Sequence, residues 1–96
     1  MPTHEELPRF LREYSRLNAE EQEAFKAAIR LFVQGLLDRR FHPSVRVKRV
    51  GGTPDVWEMT WAPDGRATFT YGAEVRAGDP HIIWRRIGKH DIFREP

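Results

Sequence analysis

Apolar residues recur with the period of an α-helix over two stretches at the start of the chain. The first stripe consists of Leu7, Phe10, Leu11, Tyr14 and Leu17. Ahead of it, Thr3 and Glu6 have the spacing of a capping box, in which each side chain satisfies a backbone amide at the helix start. These features predict a first helix at about residues 5–16.

The second apolar stripe is longer than the first. It consists of Phe25, Ile29, Phe32, Val33, Leu36 and Leu37. Asn18 is a favoured N-cap residue and Glu21 repeats the capping pattern three residues later, so a second helix is expected at about residues 19–38. The short hinge between the helices favours an antiparallel hairpin whose apolar stripes face a common partner.

Beyond Arg40 the pattern changes to alternation with period two, which is typical of half-buried strands. Residues 45–50 alternate in this way and turn Arg46 and Lys48 to one face. Two later strands flank the sequence Pro-Asp-Gly at residues 63–65. This sequence predicts a three-residue hairpin turn with its glycine in a left-handed conformation.

A hairpin of this length pairs Ala62 with Arg66 and divides its two strands into an apolar and a polar face. The apolar face, which the helices are expected to cover, consists of Trp57, Met59, Trp61, Ala67, Phe69 and Tyr71. The polar face, which is expected to stay open, consists of Glu58, Thr60, Arg66, Thr68 and Thr70.

A last strand at residues 81–87 is apolar on both faces, which indicates a position inside a sheet. The predicted fold class is therefore α+β, with an N-terminal antiparallel helical hairpin packed on a mostly antiparallel four-stranded sheet. The length of 96 residues predicts a single domain, residues 1–96.

The composition, 40% hydrophobic and 31% charged, is that of a folded globular protein. No apolar run is long enough to span a membrane, and the N-terminus lacks the pattern of a secretory signal, so we expect a cytoplasmic protein with no membrane partner. The absence of cysteine excludes disulfides and thiolate zinc sites. The histidines form no helical i, i+4 pair, so neither a metal nor another cofactor is expected.

The net charge of +2 is unevenly distributed. Residues 1–38 carry five Lys and Arg against seven Asp and Glu, whereas residues 39–96 carry eleven against seven. Most of the basic residues in the second part are arginines, whose planar guanidinium donates two parallel hydrogen bonds to phosphate. This asymmetry indicates either a polyanionic partner or a solvated basic surface, and charge alone does not decide between them.

Cationic side chains are expected to converge on the open polar face. Lys48 projects from the first strand after the helices, Arg66 opens the third, Arg85 or Arg86 comes from the last, and His90 follows that strand. Such a set can bind a phosphodiester and stabilise the extra charge of a pentacovalent phosphorane. The alternative interpretation, in which these residues form only the solvated side of half-buried strands, stays open.

RNA carries its own nucleophile, the 2′-OH, so a protein that cleaves it has to supply only a base, an acid and positive charge. Histidine can act as acid or base near neutral pH. A lysine crowded by arginines can lose its proton more readily and serve as base. Lys48, Arg66 and His90 are accordingly the candidate catalytic residues.

Four segments, taken in order, resemble the RelE/ParE superfamily of bacterial toxins. They are HPSVRVKRVGG, VWEMTW, DGRATFTY and IIWRRIGKHDIF, and the resemblance extends over nearly the whole chain. It implies a small toxin that a cognate antitoxin holds silent. RelE-like members enter the ribosomal A site and cut mRNA through 2′-OH attack, whereas ParE-like members act on DNA gyrase without that nuclease site.

The resemblance assigns roles to individual positions. Lys48 and Arg49 match basic positions of the first long strand, and Arg66 matches the arginine that stabilises phosphate. Arg86 matches the basic residue before the glycine, and His90 matches the basic residue after it. The residues expected to bind RNA are Arg46, Arg49, Arg85, Arg86, Lys89 and Phe93. Many active members have a tyrosine near the position of Phe93, and phenylalanine can stack on a base but cannot move a proton.

Three functions therefore remain open at this point. The first is a ribosome-dependent mRNA endonuclease, with the antitoxin, the ribosome and mRNA as partners. The second is a gyrase inhibitor without nuclease activity, and the third is a non-catalytic nucleic-acid-binding module.

Overall fold

Two helices pack on one five-stranded sheet in the computed structural model, which describes residues 2–96. The helices are α1 (Pro8–Ser15) and α2 (Ala19–Asp38), and the strands are β1 (Thr3–Glu6), β2 (Lys48–Arg49), β3 (Trp57–Thr60), β4 (Arg66–Gly72) and β5 (His81–Gly88). Short 3₁₀ helices lie at Pro43–Val45 and His90–Arg94. The strand order is β1-β5-β4-β3-β2, with β1 parallel to β5 and the other pairs antiparallel. The prediction of an α+β fold is confirmed, but the sheet is mixed and has five strands instead of four.

The additional strand is β1, and it corrects the prediction of a helix from residue 5. Thr3 pairs with His81 in β5, and its Oγ1 lies 2.7 Å from the His81 Nδ1, so Thr3 does not cap a helix. Leu7 is extended (φ −68°, ψ 152°), as a residue before proline prefers, and its N–H donates to the Trp84 carbonyl at 2.9 Å. The backbone groups before Pro8 thus form hydrogen bonds with the edge of β5, and α1 begins at Pro8.

Helix α2 confirms its predicted bounds and its predicted cap. The Asn18 side chain accepts a hydrogen bond from the Glu21 N–H at 2.8 Å, and the Glu21 carboxylate accepts one from the Asn18 N–H at 2.9 Å. Phe32 of α2 is buried against β4 and β5, with its ring centroid 5.0 Å from that of Phe69 and 5.3 Å from that of Trp84. The antiparallel course of α1 and α2 stays a prediction.

The predicted strand at residues 45–50 is wrong for most of its length. Pro43 starts a 3₁₀ turn that ends at Val45, which is buried in the core between helices and sheet. Arg46 then adopts a left-handed conformation with φ 43°, so its side chain does not alternate with that of Lys48 along a strand. Only Lys48 and Arg49 form β2.

The hairpin between β3 and β4 is shifted from its predicted register. Arg66 pairs with Thr60 instead of Ala62, and the Trp61 N–H donates to the Gly65 carbonyl at 3.1 Å. A shift of two residues leaves every side chain on its predicted face, because side chains alternate with period two. Gly65 is not left-handed as predicted: a Cβ at this position would lie 2.6 Å from the Trp61 ring, so the glycine is needed for close approach.

Replacing Gly65 with alanine should destabilise the fold. The added methyl group would meet the buried indole of Trp61, and overpacking of this kind costs about 1–3 kcal/mol. Gly51→Ala is the matched control, since nothing lies within 4 Å of a Cβ at Gly51. Thermal unfolding of both variants checks this, and equal melting temperatures for Gly65→Ala and the parent would contradict it.

The predicted interior position of the last strand is confirmed, since β5 lies between β1 and β4. The polar face of the sheet, however, is less open than expected. Glu58 and Thr68 are both buried on it. Ile92 of the C-terminal 3₁₀ helix is buried as well and folds back so closely that a Cβ at Gly88 would lie 2.9 Å from it. Within residues 2–96, no helix is both long and apolar enough to cross a membrane.

Candidate functional site

The hairpin that joins β3 to β4 brings an arginine, an aspartate and a histidine to one end of the sheet. His90 Nδ1 lies 2.7 Å from Asp64 Oδ1 in the hairpin turn. Arg66, two residues after Asp64, pairs through its backbone with Gly88, two residues before His90. Arg66 and His90, which the sequence proposes as catalytic, therefore lie beside the same turn.

The hydrogen bond with Asp64 determines how His90 can act. A carboxylate can only accept, so Nδ1 carries the shared proton, and the imidazole has Nε2 left for another partner. The same hydrogen bond from His90 is the main reason that the pKa of Asp64 lies below its usual value. His90 itself is 58% exposed, and the ring of Phe93 stands edge-on to it with centroids 5.7 Å apart.

Arg66 is held in place by the turn that follows β3. Its Nη1 donates to the carbonyls of Ala62 at 3.2 Å, Pro63 at 3.3 Å and Gly65 at 2.9 Å. Its Nε and Nη2 have no hydrogen-bond partner among residues 2–96. The guanidinium is thus positioned through one nitrogen and can offer two others to an anion, which is the geometry that phosphate recognition uses.

Lys48 lies in another environment from the one that the sequence suggested. Its side chain is 69% exposed, and its Nζ is 4.0 Å from Glu58 Oε1. Lys48, Glu58, Thr68 and Arg86 are successive cross-strand partners in β2, β3, β4 and β5, so they form one row across the polar face. The neighbour of Lys48 is therefore a carboxylate, and the crowding by arginines on which its role as a base depended is not observed.

Arg86 is engaged with the protein itself. Its Nε and Nη2 form a two-pronged ion pair with the Glu13 carboxylate of α1, with a distance of 3.2 Å for Nε. Its Nη1 donates to the carbonyls of Ile92 at 3.4 Å and Glu95 at 3.2 Å. The hydrogen bond to Glu13 is the main cause that raises the pKa of Arg86. Arg86 thus ties α1 and β5 to the C-terminal segment that carries His90.

The remaining residues expected to bind RNA fall into two groups. Arg46, Arg49 and Lys89 are exposed. The guanidinium carbon of Arg49 lies 6.0 Å from the centre of the Trp57 ring, and the Lys89 Nζ is 3.7 Å from a Glu21 carboxylate oxygen. Arg85 and Phe93 are half-buried, and the Arg85 Nε donates to the Pro96 carbonyl at 3.1 Å. No group of three or more side chains that could hold a metal ion occurs in the described part of the chain.

The sequence did not reveal Asp64 or Glu13 as partners of the candidate site. Asp64 was accounted for by the hairpin turn, and Glu13 lies on a helix far along the chain from Arg86. A signal for Asp64 exists in hindsight, because an acidic residue in a turn next to a strand-opening arginine can meet a histidine that follows the neighbouring strand. For Glu13 the sequence carries no such signal.

No protein-family profile matches the sequence, and no curated protein is significantly similar to it. Solved structures of bacterial toxins nevertheless match over nearly the full length. The toxin–antitoxin complex RelBE of E. coli matches with a TM-score of 0.61 and 18% identity, over 93% of this chain and 96% of that one. The E. coli DinJ–YafQ complex matches with a TM-score of 0.65 and 12% identity, over 94% of this chain and 93% of that one.

A metal-bound toxin from Helicobacter pylori is also similar, with a TM-score of 0.59 and 16% identity over 95% of this chain and 97% of that chain. Sequence identities this low carry no information on activity, but the coverage of both chains is almost complete. The resemblance seen in the sequence is confirmed at the level of structure: this chain has the fold of the RelE- and YafQ-type toxins.

Proposed function

We propose that the protein is the toxin of a type II toxin–antitoxin system and acts as a metal-independent endoribonuclease on mRNA in the ribosome. The observation that carries the proposal is the Asp64–His90 pair beside the two unoccupied donors of Arg66. An oriented imidazole next to an arginine with free donors is what phosphodiester cleavage requires. The toxin fold supports the same conclusion.

The proposed reaction is an internal transesterification of RNA. The 2′-OH gives its proton to a base while its oxygen attacks the neighbouring phosphorus and the bond from phosphorus to the 5′-oxygen breaks, which leaves a 2′,3′-cyclic phosphate and a 5′-hydroxyl. Arg66 donates from Nε and Nη2 to the phosphate oxygens, whose negative charge grows in the transition state. His90, protonated at Nε2, gives that proton to the departing 5′-oxygen, and Asp64 orients the ring and stabilises its cationic form.

The other basic residues supply positive charge for the RNA backbone. We assign this role to Lys48, Arg46, Arg49 and Lys89, all of which are exposed. Phe93, beside His90, can stack on a base of the substrate. Arg85 and Arg86 act indirectly in this proposal, because their hydrogen bonds fix the C-terminal segment that presents His90 and Phe93.

The proposed partner is an antitoxin with acidic segments, acting in the cytoplasm. Such segments would neutralise the basic half of this chain and cover the site at the hairpin. Co-purification with the product of an adjacent reading frame at low salt tests this, and the absence of any complex under these conditions would count against the proposal.

Induced expression in bacterial cells should halt protein synthesis and fragment translated mRNA. DNA-damage signalling with intact transcripts would instead indicate a gyrase inhibitor. If neither response occurs, the result would favour the non-catalytic binding module. Primer extension on an abundant transcript and a reporter of DNA damage, measured in the same cultures, distinguish these results. A strain that expresses His90→Gln is the control, because it should neither cut mRNA nor stop growth.

A further inference from the structure

Glu58 is a charged residue that the fold largely buries and that has a single, long ion-pair contact. It is 7% exposed, lies on the polar face of the sheet in β3, and its nearest charged neighbour, the Nζ of Lys48, is 4.0 Å away. No hydrogen bond to this carboxylate is formed by residues 2–96. Burying a carboxylate costs free energy unless it is paired and hydrogen-bonded, and the contact with Lys48 is the one ion pair that the described residues give Glu58.

The cross-strand neighbour of Glu58 is incompletely satisfied as well. Thr68 pairs with Glu58 across β3 and β4 and is fully buried. Its Oγ1 is one of two buried side-chain atoms in residues 2–96 that have no hydrogen-bond partner. A buried hydroxyl without a partner therefore lies beside the carboxylate on the same face, and buried polar atoms without a partner are uncommon in folded proteins.

The sheet register places Glu58 on the opposite side of Arg66 from His90. Glu58 pairs with Thr68, and Arg66 lies two residues before Thr68 on the same face, so Glu58 and Arg66 are diagonal neighbours with Cα atoms about 7–8 Å apart. On its other side Arg66 pairs with Gly88, after which the chain reaches His90. A phosphate bound to Arg66 would thus have the carboxylate on one side and the imidazole on the other.

We infer that Glu58 is the general base of the proposed cleavage, an inference that rests on the proposed function. Its carboxylate takes the proton of the 2′-OH as the 2′-oxygen bonds to phosphorus, and His90 gives a proton to the 5′-oxygen as that bond breaks. Base and acid on opposite sides of the phosphate fit an in-line displacement. Lys48, the base suggested by the sequence, adds positive charge beside Glu58 in this arrangement.

The test uses the purified full-length protein and a defined mRNA in a cell-free bacterial translation system, with cleavage followed as 5′-hydroxyl fragments over a range of pH. Glu58→Gln preserves the shape of the side chain but cannot accept the proton. It should lower the rate by about 100-fold or more and remove the acidic limb of the pH–rate profile, where the base becomes protonated. Glu58→Asp should keep that limb at a reduced rate.

Two control variants separate the loss of a base from the loss of charge at the site. Glu74→Gln makes the same chemical change on an exposed loop and should cleave like the parent at every pH. Lys48→Met should lower the rate but keep the acidic limb. Circular dichroism and melting temperature identify any variant that fails to fold, and Glu58→Asp then supplies the comparison.

An acidic limb that persists in Glu58→Gln would overturn the inference while the proposed function stands. The same holds if Lys48→Met, and not Glu58→Gln, loses the limb, because Lys48 would then be the base. If the parent protein produces no 5′-hydroxyl fragments, the proposed function fails, and the inference fails with it.

Discussion

Replacement of His90 by glutamine should lower mRNA cleavage by about 100- to 10,000-fold, the range that a positioned general acid contributes. Glutamine keeps a polar group of similar reach but cannot transfer a proton near neutral pH. The His90 side chain is 58% exposed and lies outside the apolar core, so the variant should fold and melt like the parent. Single-turnover cleavage of mRNA on ribosomes measures the loss.

Asp64→Asn should reproduce much of this loss, because Asp64 acts through His90. The asparagine amide can donate to Nδ1, which favours the neutral ring, and it cannot stabilise the imidazolium that serves as the acid. In the His90→Gln background the same substitution should therefore have little further effect. Asp91→Asn, on the same 3₁₀ helix as His90, is the control and should retain activity. An additional loss in the double variant would show that Asp64 has a role apart from His90.

The faces of the sheet could be predicted from the sequence more securely than its pairing. Thr60, and not Ala62, pairs with Arg66, yet Glu58, Thr68 and Arg66 all lie on the predicted polar face. An alternating pattern fixes which way a side chain points, and any even shift of register preserves it. The register itself depends on the packing of Trp61 over Gly65, which no local pattern encodes.

Elements that depend on distant parts of the chain could not be predicted. Residues 3–6 read Thr-His-Glu-Glu, without apolar alternation, and become a strand because the free edge of β5 accepts them across 78 positions of sequence. The capping-box spacing of Thr3 and Glu6 was a coincidence that nothing in the local sequence could expose. The same limit applies to the site, where His90 and Arg66 were predictable from their local context but the bond to Asp64 was not.

Arg66→Ala should produce the other large effect, a loss of about 100- to 1,000-fold in cleavage, as expected for removing a donor that stabilises transition-state charge. It should also lower stability, because Nη1 holds three carbonyls of the hairpin and hydrogen bonds of this kind contribute about 0.5–1.5 kcal/mol each. Arg66→Lys keeps the positive charge but lacks the planar set of donors, so its activity should lie between that of the parent and that of Arg66→Ala.

The double variant Arg66→Ala/His90→Gln distinguishes two ways in which Arg66 contributes. The carbonyls that bind Arg66 flank Asp64, so loss of the guanidinium should also loosen the carboxylate that orients His90. Part of the Arg66→Ala effect then passes through His90, and the loss in the double variant should be smaller than the product of the single losses. Cleavage rates of the four proteins, measured well below their melting temperatures, give this coupling. If the loss in the double variant equals the product of the two single losses, Arg66 acts on the phosphate alone and the hairpin holds Asp64 without it.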